Sequence, residues 1–360
     1  MEPFLDIHIQ LNRNGFRLNI VHEIPSGIVG IYGPSGHGKT SMLNSIAGIV
    51  IPDEGRICIQ GVVVFDSEKK VNAPVKKRNI GYVFQEDRLF PHLSVHKNLR
   101  YGQKENSGVE FTEVVNILKI GHLLSRRPEE CSGGERQRIA LGRVLLSSPK
   151  LILLDEPFSA VDNMLRESII PYLVNINRKF DIPMLVVSHD LPDLLSLTDY
   201  LVLLNHGQVS ASGLFRDLIA DEQNVSLMQG SGIYNVFELS VADYNPLADI
   251  VILKSSVHNF TIQAIAKSFH EEVKPGTMVK VLIRPEDIAV SLSRVEGISL
   301  RNQVEGIVEK IFSRHGYSFC LVDAGEKLLV EITEASRKKM MLEPGRTIYC
   351  LFKSVALKIY

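Results

Sequence analysis

The octapeptide GPSGHGKT, Gly33 to Thr40, constrains this chain more than any other feature of it. It fits G-x-x-x-x-G-K-[ST], a loop in which glycines let consecutive backbone N–H groups curl around a phosphate. The apolar run GIVGIY precedes it and the helical pattern TSMLNSIAG follows it. The loop therefore joins a buried strand to a helix N-terminus, where the helix dipole adds to the attraction for an anion. That junction belongs to α/β folds with a largely parallel sheet. It assigns Gly33, Pro34, Ser35, Gly36, His37, Gly38, Lys39, Thr40 and Ser41 to a nucleotide-phosphate site. Within it Lys39 reaches the β- and γ-phosphates, and the Thr40 hydroxyl ligates magnesium.

Three further apolar runs end in polar residues of suitable chemistry. NIGYVFQED delivers Gln85, LILLDEP delivers Asp155 and Glu156, and MLVVSHD delivers His189. In open α/β sheets ligands bind beyond the carboxyl ends of strands, so these ends and the phosphate loop converge on one site. There Asp155 holds hydrated magnesium through water, Glu156 polarises an attacking water, and Gln85 offers a neutral amide to metal and water alike. A second glycine pair poses a problem. CSGGERQRIALGR, from Cys131, places Ser132, Gly133 and Gly134 at another helix start, a second anion-binding loop in a chain that already has one.

At 360 residues, 45% hydrophobic and 22% charged, the chain reads as a folded protein of about two domains. A net charge of -1 argues against a nucleic-acid partner, which a clustered basic surface would meet. Cys58, Cys131, Cys320 and Cys350 lack C-x-x-C spacing and read as reduced thiols. MEPFLDIHIQ has neither the basic start nor the apolar centre of a signal peptide, and no apolar run approaches the ~20 residues that span a bilayer. A membrane role would need another chain to do the crossing.

Apolar runs and helix-like runs alternate to about residue 220; past ADEQNVS the pattern is alternating strands, read as a linker and a smaller β domain. KPGTMVKVLIRPEDIAV, from Lys274, and EPGRTIYCLFKSVALKI, from Glu343, match at Pro275 and Pro344, Gly276 and Gly345, Leu282 and Leu351, and Arg284 and Lys353. The β domain thus reads as two related, barrel-like modules.

The ordered set GPSGHGKT, Gln85, CSGGE, LILLDEP, SAVD and SHD resembles the ATP-binding subunits of ABC transporters over roughly the first 220 residues. The resemblance implies an α/β P-loop NTPase with a helical subdomain, followed by a C-terminal all-β domain. It implies Lys39 and Thr40 in the Walker A loop, Asp155 in Walker B, Glu156 as catalytic base, Gln85 in the Q-loop, Asp162 in the D-loop and His189 as switch histidine. Phe16 is either the aromatic that stacks on adenine or a core residue. ATP and Mg2+ are the implied cofactors. Ser132, Gly133 and Gly134 would close on ATP held by a second copy, giving a homodimer through an ATP sandwich. The family pattern fails at Cys131, where leucine is usual, and Glu135 stands where glutamine is frequent.

Within that family, VFDSEKK and the run RLFPHLSVHKNLRYG, Arg88 to Gly102, are similar to the molybdate-importer branch; the longer run is also similar to importers of sulfate, ferric iron or polyamines. SLRNQVEGIVEKI and LFKSVALKI resemble the two ends of a molybdate-binding-type (Mop) β domain. There Ser299, Arg301, Asn302, Lys353 and Ser354 would offer donors to an oxyanion, or else stabilise strand ends. The implied domains are an ATP-binding domain at 1–225 with its helical subdomain at about 88–145, a linker and first β module at 226–290, and a Mop-like domain at 291–360. The implied function is the ATPase subunit of a molybdate importer, peripheral on the cytoplasmic face of the inner membrane. Its partners would be integral permease subunits and, indirectly, a periplasmic binding protein, with no nucleic acid. A soluble ABC ATPase outside transport is the reading from another class.

Overall fold

The computed structural model describes residues 3–13, 15–103, 109–228, 232–269, 274–314 and 316–360. Two units divide the chain, one through Leu214 and one from Phe215 to Tyr360. In the first unit the strands are β1 (Leu5–Arg13), β2 (Phe16–Ile24), β3 (Ile28–Tyr32), β4 (Glu54–Ile59), β5 (Val62–Asp66), β6 (Val71–Asn72), β7 (Ile80–Val83), β8 (Leu151–Asp155), β9 (Met184–Val187), β10 (Tyr200–Asn205) and β11 (Gln208–Leu214). Its helices are α1 (Lys39–Ala47), α2 (Val75–Arg78), α3 (Val95–Arg100), α4 (Phe111–Ile117), α5 (Gly133–Leu146), α6 (Asn163–Phe180) and α7 (Leu191–Leu197).

These strands make two sheets. One has the order β11-β10-β3-β9-β8-β7, and its pairs from β10 to β7 are all parallel. β3, β8 and β9 are buried along their whole length, which is why they read as unbroken apolar runs. The other sheet, β2-β1-β4-β5-β6, is antiparallel. In β1 Leu5, Ile7, Ile9 and Leu11 face inward while the alternate positions turn out, the period of a half-covered strand. Met42, Leu43 and Ile46 of α1 share one core cluster with Ile7 and Ile9 of the antiparallel sheet and Val29 and Ile31 of the parallel one. Each such side chain contributes roughly 1.5–3 kcal/mol when fully buried, so the helix behind the phosphate loop is anchored on both sides.

The second unit contains α8 (Phe215–Leu218), α9 (Glu222–Met228), α10 (Glu334–Met340) and strands β12 (Asn235–Asn245), β13 (Ile250–Lys254), β14 (Thr261–Ile265), β15 (Met278–Ile283), β16 (Ala289–Ser291), β17 (Asn302–Arg314), β18 (Tyr317–Asp323), β19 (Lys327–Thr333), β20 (Thr347–Phe352) and β21 (Lys358–Ile359). The polar stretch ADEQNVS, which marks the expected end of the ATP-binding domain, is mostly the helix α9, which buries Asn224, Val225 and Met228. A polar surface hid its one apolar edge. The unit division at Leu214 also precedes the expected boundary at 225.

The two related segments fold alike. Each runs from a turn glycine in the left-handed region (Gly276, φ 85; Gly345, φ 90) through a strand and a short 3-10 turn to a second short strand. The second strand of each joins the other module's sheet: β21 pairs with β15, and β16 pairs with β20. The sheets β14-β13-β12-β15-β21 and β16-β20-β17-β18-β19 are therefore strand-exchanged, and one apolar cluster spans both. A division at 290/291 cuts through β16.

Candidate nucleotide site

β3, β7, β8 and β9 are neighbours running in one direction, so the residues that follow them gather at one edge. A cavity of about 340 Å³ opens there, lined by Ser35, Gly36, Gly38, Lys39, Thr40, Ser41, Gln85, Asp155 and Glu156, with Phe16 and Val187. Phe16 is half-buried: it packs against the core, and it also lines the cavity. Gly38 has φ 99, and a Cβ there would sit 2.6 Å from Leu18 and 2.9 Å from Phe16. Only glycine fits the start of this helix.

Lys39 is buried, and its Nζ donates to the carbonyls of Gly33 (2.6 Å) and Pro34 (3.0 Å). Desolvation pushes its pKa down, and the charges of Glu156 and Asp155 oppose that shift. Asp155 is buried at the end of β8 with its pKa raised by desolvation; hydrogen bonds from Thr40 and Tyr82 and the charge of Lys39 act against the rise. The Tyr82 hydroxyl lies 3.5 Å from Asp155 Oδ2, and its ring stacks on Phe84 at 3.9 Å. Hydroxyl, carboxylate and amide oxygens of Thr40, Asp155 and Gln85 around one cavity make a hard, oxygen-rich donor set of the kind magnesium prefers.

Glu156 has φ 52, uncommon for a residue other than glycine. Its N–H donates to Val187 O (2.9 Å), and its carbonyl accepts from Gln137 Nε2 (2.8 Å), so β9 and α5 together hold the turn. Glu156 Oε2 is 2.7 Å from Nδ1 of His189, whose side chain is otherwise exposed. His37 does not line the cavity: its ring packs against that of His206, tilted by 32° at 4.5 Å between centroids, and its Nδ1 accepts from the His206 N–H at 3.0 Å. Its contribution to the loop is backbone, with the side chain bracing the β10–β11 turn.

Ser132, Gly133 and Gly134 are not among the residues lining this cavity. Ser132 caps α5: its Oγ accepts from the Glu135 N–H (3.3 Å), and Glu135 Oε2 accepts from the Ser132 N–H (2.7 Å). That use leaves the hydroxyl hydrogen free to donate. Nothing crowds Gly133, whereas a Cβ on Gly134 would stand 2.4 Å from Ala160 O. Cys131 is buried, its Sγ 3.5 Å from Arg127 O, and burial raises its pKa. Asp162 caps α6 through Leu165 N (3.1 Å) and also lies outside the cavity lining.

Gln137 was not foreseen. It is buried in α5, bonding Glu156 O, Ser159 Oγ and Ala160 N. Arg136 likewise joins Asp87 (2.8 Å) to the Cys131 carbonyl (2.8 Å). Polar residues on a helix read as solvent-facing, so neither carried a signal.

The oxyanion candidates divide. Ser299, Arg301 and Lys353 are exposed, while Asn302 and Ser354 are buried. Asn302 Oδ1 accepts from Gln263 N (2.7 Å), and its amide group donates to Gln263 O (3.0 Å) and lies 3.5 Å from Ser354 Oγ. Both amide hydrogens have partners within the fold, which favours the strand-stabilising alternative for Asn302.

The ABC transporter family profile matches residues 20–159. The molybdenum import ATP-binding protein of Rhizobium meliloti is 35% identical over 98% of this chain and 99% of its own length. That of Paramagnetospirillum magneticum is 34% identical over 98% and 97%. A dimeric bacterial ABC transporter cassette superposes with a TM-score of 0.50 at 26% identity, covering 58% of this chain and 98% of that one. A dimeric post-hydrolysis cassette bound to ADP and phosphate does so with a TM-score of 0.50 at 25% identity, over the same shares. Among the described residues no helix is long and apolar enough to cross a membrane.

Proposed function

The chain belongs to the molybdenum import ATP-binding proteins of the ABC transporter family, and from that premise we propose that Glu156, His189 and Lys39 carry out ATP hydrolysis that drives molybdate uptake. The observation that carries the residue assignment is the 2.7 Å Glu156–His189 contact beside the phosphate loop. Lys39 and the loop N–H groups neutralise phosphate charge, and Phe16 offers a ring to the adenine. Thr40 and Gln85 would hold Mg2+, with Asp155 acting through water; when bound, the metal supplies charge neutralisation to the β- and γ-phosphates.

Glu156 takes the proton of the attacking water. The contact with Nδ1 needs one hydrogen, which the ring donates to the carboxylate as imidazolium or as the Nδ1–H tautomer, or accepts from a carboxyl group that has just been protonated. Nε2–H is a donor toward the γ-phosphate in the imidazolium and in the Nε2–H tautomer that accepts from the carboxyl group, so those are the states the role of His189 requires. Ser132 and Gly133, exposed at the start of α5, supply a hydroxyl, backbone N–H groups and a helix dipole to ATP on a second copy. The duplicate loop is thus half of a composite site, with Asp162 near the same partner. The membrane is crossed by permease subunits, placing this chain on the cytoplasmic face with a periplasmic binding protein beyond. Exposed Ser299, Arg301 and Lys353, with the Ser354 hydroxyl, form the candidate oxyanion contact of the second unit.

Glu156→Gln keeps the side chain's size and removes its basicity. ATP binding to this variant is expected to persist while steady-state turnover falls by about a hundredfold or more. Normal turnover would remove Glu156 from the mechanism.

A further inference from the structure

Arg166, on the first turn of α6, touches neither the cavity nor the phosphate loop, yet its guanidinium lies between the two segments that carry Glu156 and His189. Its Nη2 donates to Phe158 O (3.2 Å) and Val161 O (3.3 Å), both in the loop that leaves Glu156. Its Nη1 donates to Asp193 Oδ1 (3.0 Å) and lies 3.7 Å from Asp190 Oδ2. Asp190 directly follows His189 and is the residue before α7, while Asp193 sits on the first turn of that helix. One planar cation thus binds the backbone beyond the catalytic glutamate and the acidic turn beyond the histidine, a geometry that a guanidinium's fixed fork of donors permits.

We propose that Arg166 is the positioning residue that holds Glu156 and His189 in register. The inference rests on the roles given above to those two residues. The hub is built in a buried setting: the Asp193 side chain is 9% exposed and that of Arg166 22%. It is also incompletely satisfied, because Arg166 Nε and Asp190 Oδ1 are buried without a hydrogen-bond partner.

The test uses the full chain and follows ATPase kinetics, fluorescent-nucleotide binding and thermal midpoint. Arg166→Gln is expected to lower kcat about tenfold or more while KM for ATP stays within about threefold, since no phosphate-binding residue loses a contact. Arg166→Lys, which can pair with Asp193 but cannot reach both carbonyls with a planar fork, is expected to be intermediate in kcat. Adding Asp193→Asn to Arg166→Gln should cost less than Asp193→Asn alone, because the pair acts as a unit. A kcat within about twofold of wild type in Arg166→Gln overturns the proposal, as does a parallel loss of kcat and nucleotide affinity, which marks a general structural role. Should Arg166→Gln fail to fold, the Arg166→Lys kinetics decide by the same criteria. Glu156→Gln run alongside separates the failures: an active Glu156→Gln sinks the site assignment itself, whereas an inactive one beside a normal Arg166→Gln sinks only this inference.

Discussion

At the scale of single residues, the first unit concentrates its electrostatic cost where its chemistry is. Asp193 is pushed up to about 6 from 3.8, first by desolvation and then by the charge of Asp190, with Arg166 acting in opposition. A folded-state carboxyl that holds its proton more tightly than the unfolded one stabilises the fold at low pH. That stability is lost as pH rises from the unfolded value toward 6, on the order of 2–3 kcal/mol. Asn at this position does not titrate. The thermal midpoint of Asp193→Asn minus that of wild type is therefore expected to increase between about pH 4 and pH 6, and a pH-independent difference would contradict the assignment.

The same scale shows what could be read without coordinates. Lys39, Thr40, Gln85, Asp155, Glu156 and His189 were legible because each follows an apolar run, and the sheet brings those ends to one edge. Gln137 and Arg166 were not. Gln137 bonds groups of Glu156, Ser159 and Ala160, 19 to 23 residues on, and Arg166 joins carbonyls 5 and 8 residues back to Asp193, 27 residues on; no local pattern records such pairings. His37 falls within the loop motif, but its ring turns toward His206, 169 residues distant.

At the scale of elements, the antiparallel sheet beside α1 escaped the alternation argument, because β1 and β2 alternate too cleanly to resemble the buried runs around them. The two sheets of the second unit are joined by a pair of buried asparagines in matching places. Asn235, at the start of β12, bonds the N–H and carbonyl of Leu329 on β19 (2.6 and 2.9 Å); Asn302, at the start of β17, bonds those of Gln263 on β14 (2.7 and 3.0 Å). Each clasp reaches into the other module's sheet. Asn235→Ala and Asn302→Ala leave buried backbone groups unpaired, and each is expected to destabilise the unit by about 2 kcal/mol in calorimetry. An unchanged midpoint in both would mean the clasps are replaceable by water.

At the scale of the molecule, the two halves of the second unit should not melt separately. Val281 and Leu282 pair with Ile359 and Lys358, and Lys280 and Tyr360 exchange backbone bonds of 3.0 and 2.9 Å. Removing residues 358–360 strips an edge from the sheet of β12–β15, and it should lower the midpoint of the whole unit by roughly 5–10 °C in one cooperative step. A new, separate transition for residues 235–291 would show that the modules are independent.

The strand exchange also sets a timetable. β15 is complete some 75 residues before its partner β21 leaves the ribosome, so the first sheet cannot close when its own sequence is available. It must wait with an open edge, and late pairing between distant segments is slow. The apolar face that both modules share is therefore exposed longest during synthesis, which makes this unit, and not the nucleotide-binding one, the part of the newborn chain most in need of protection from premature association.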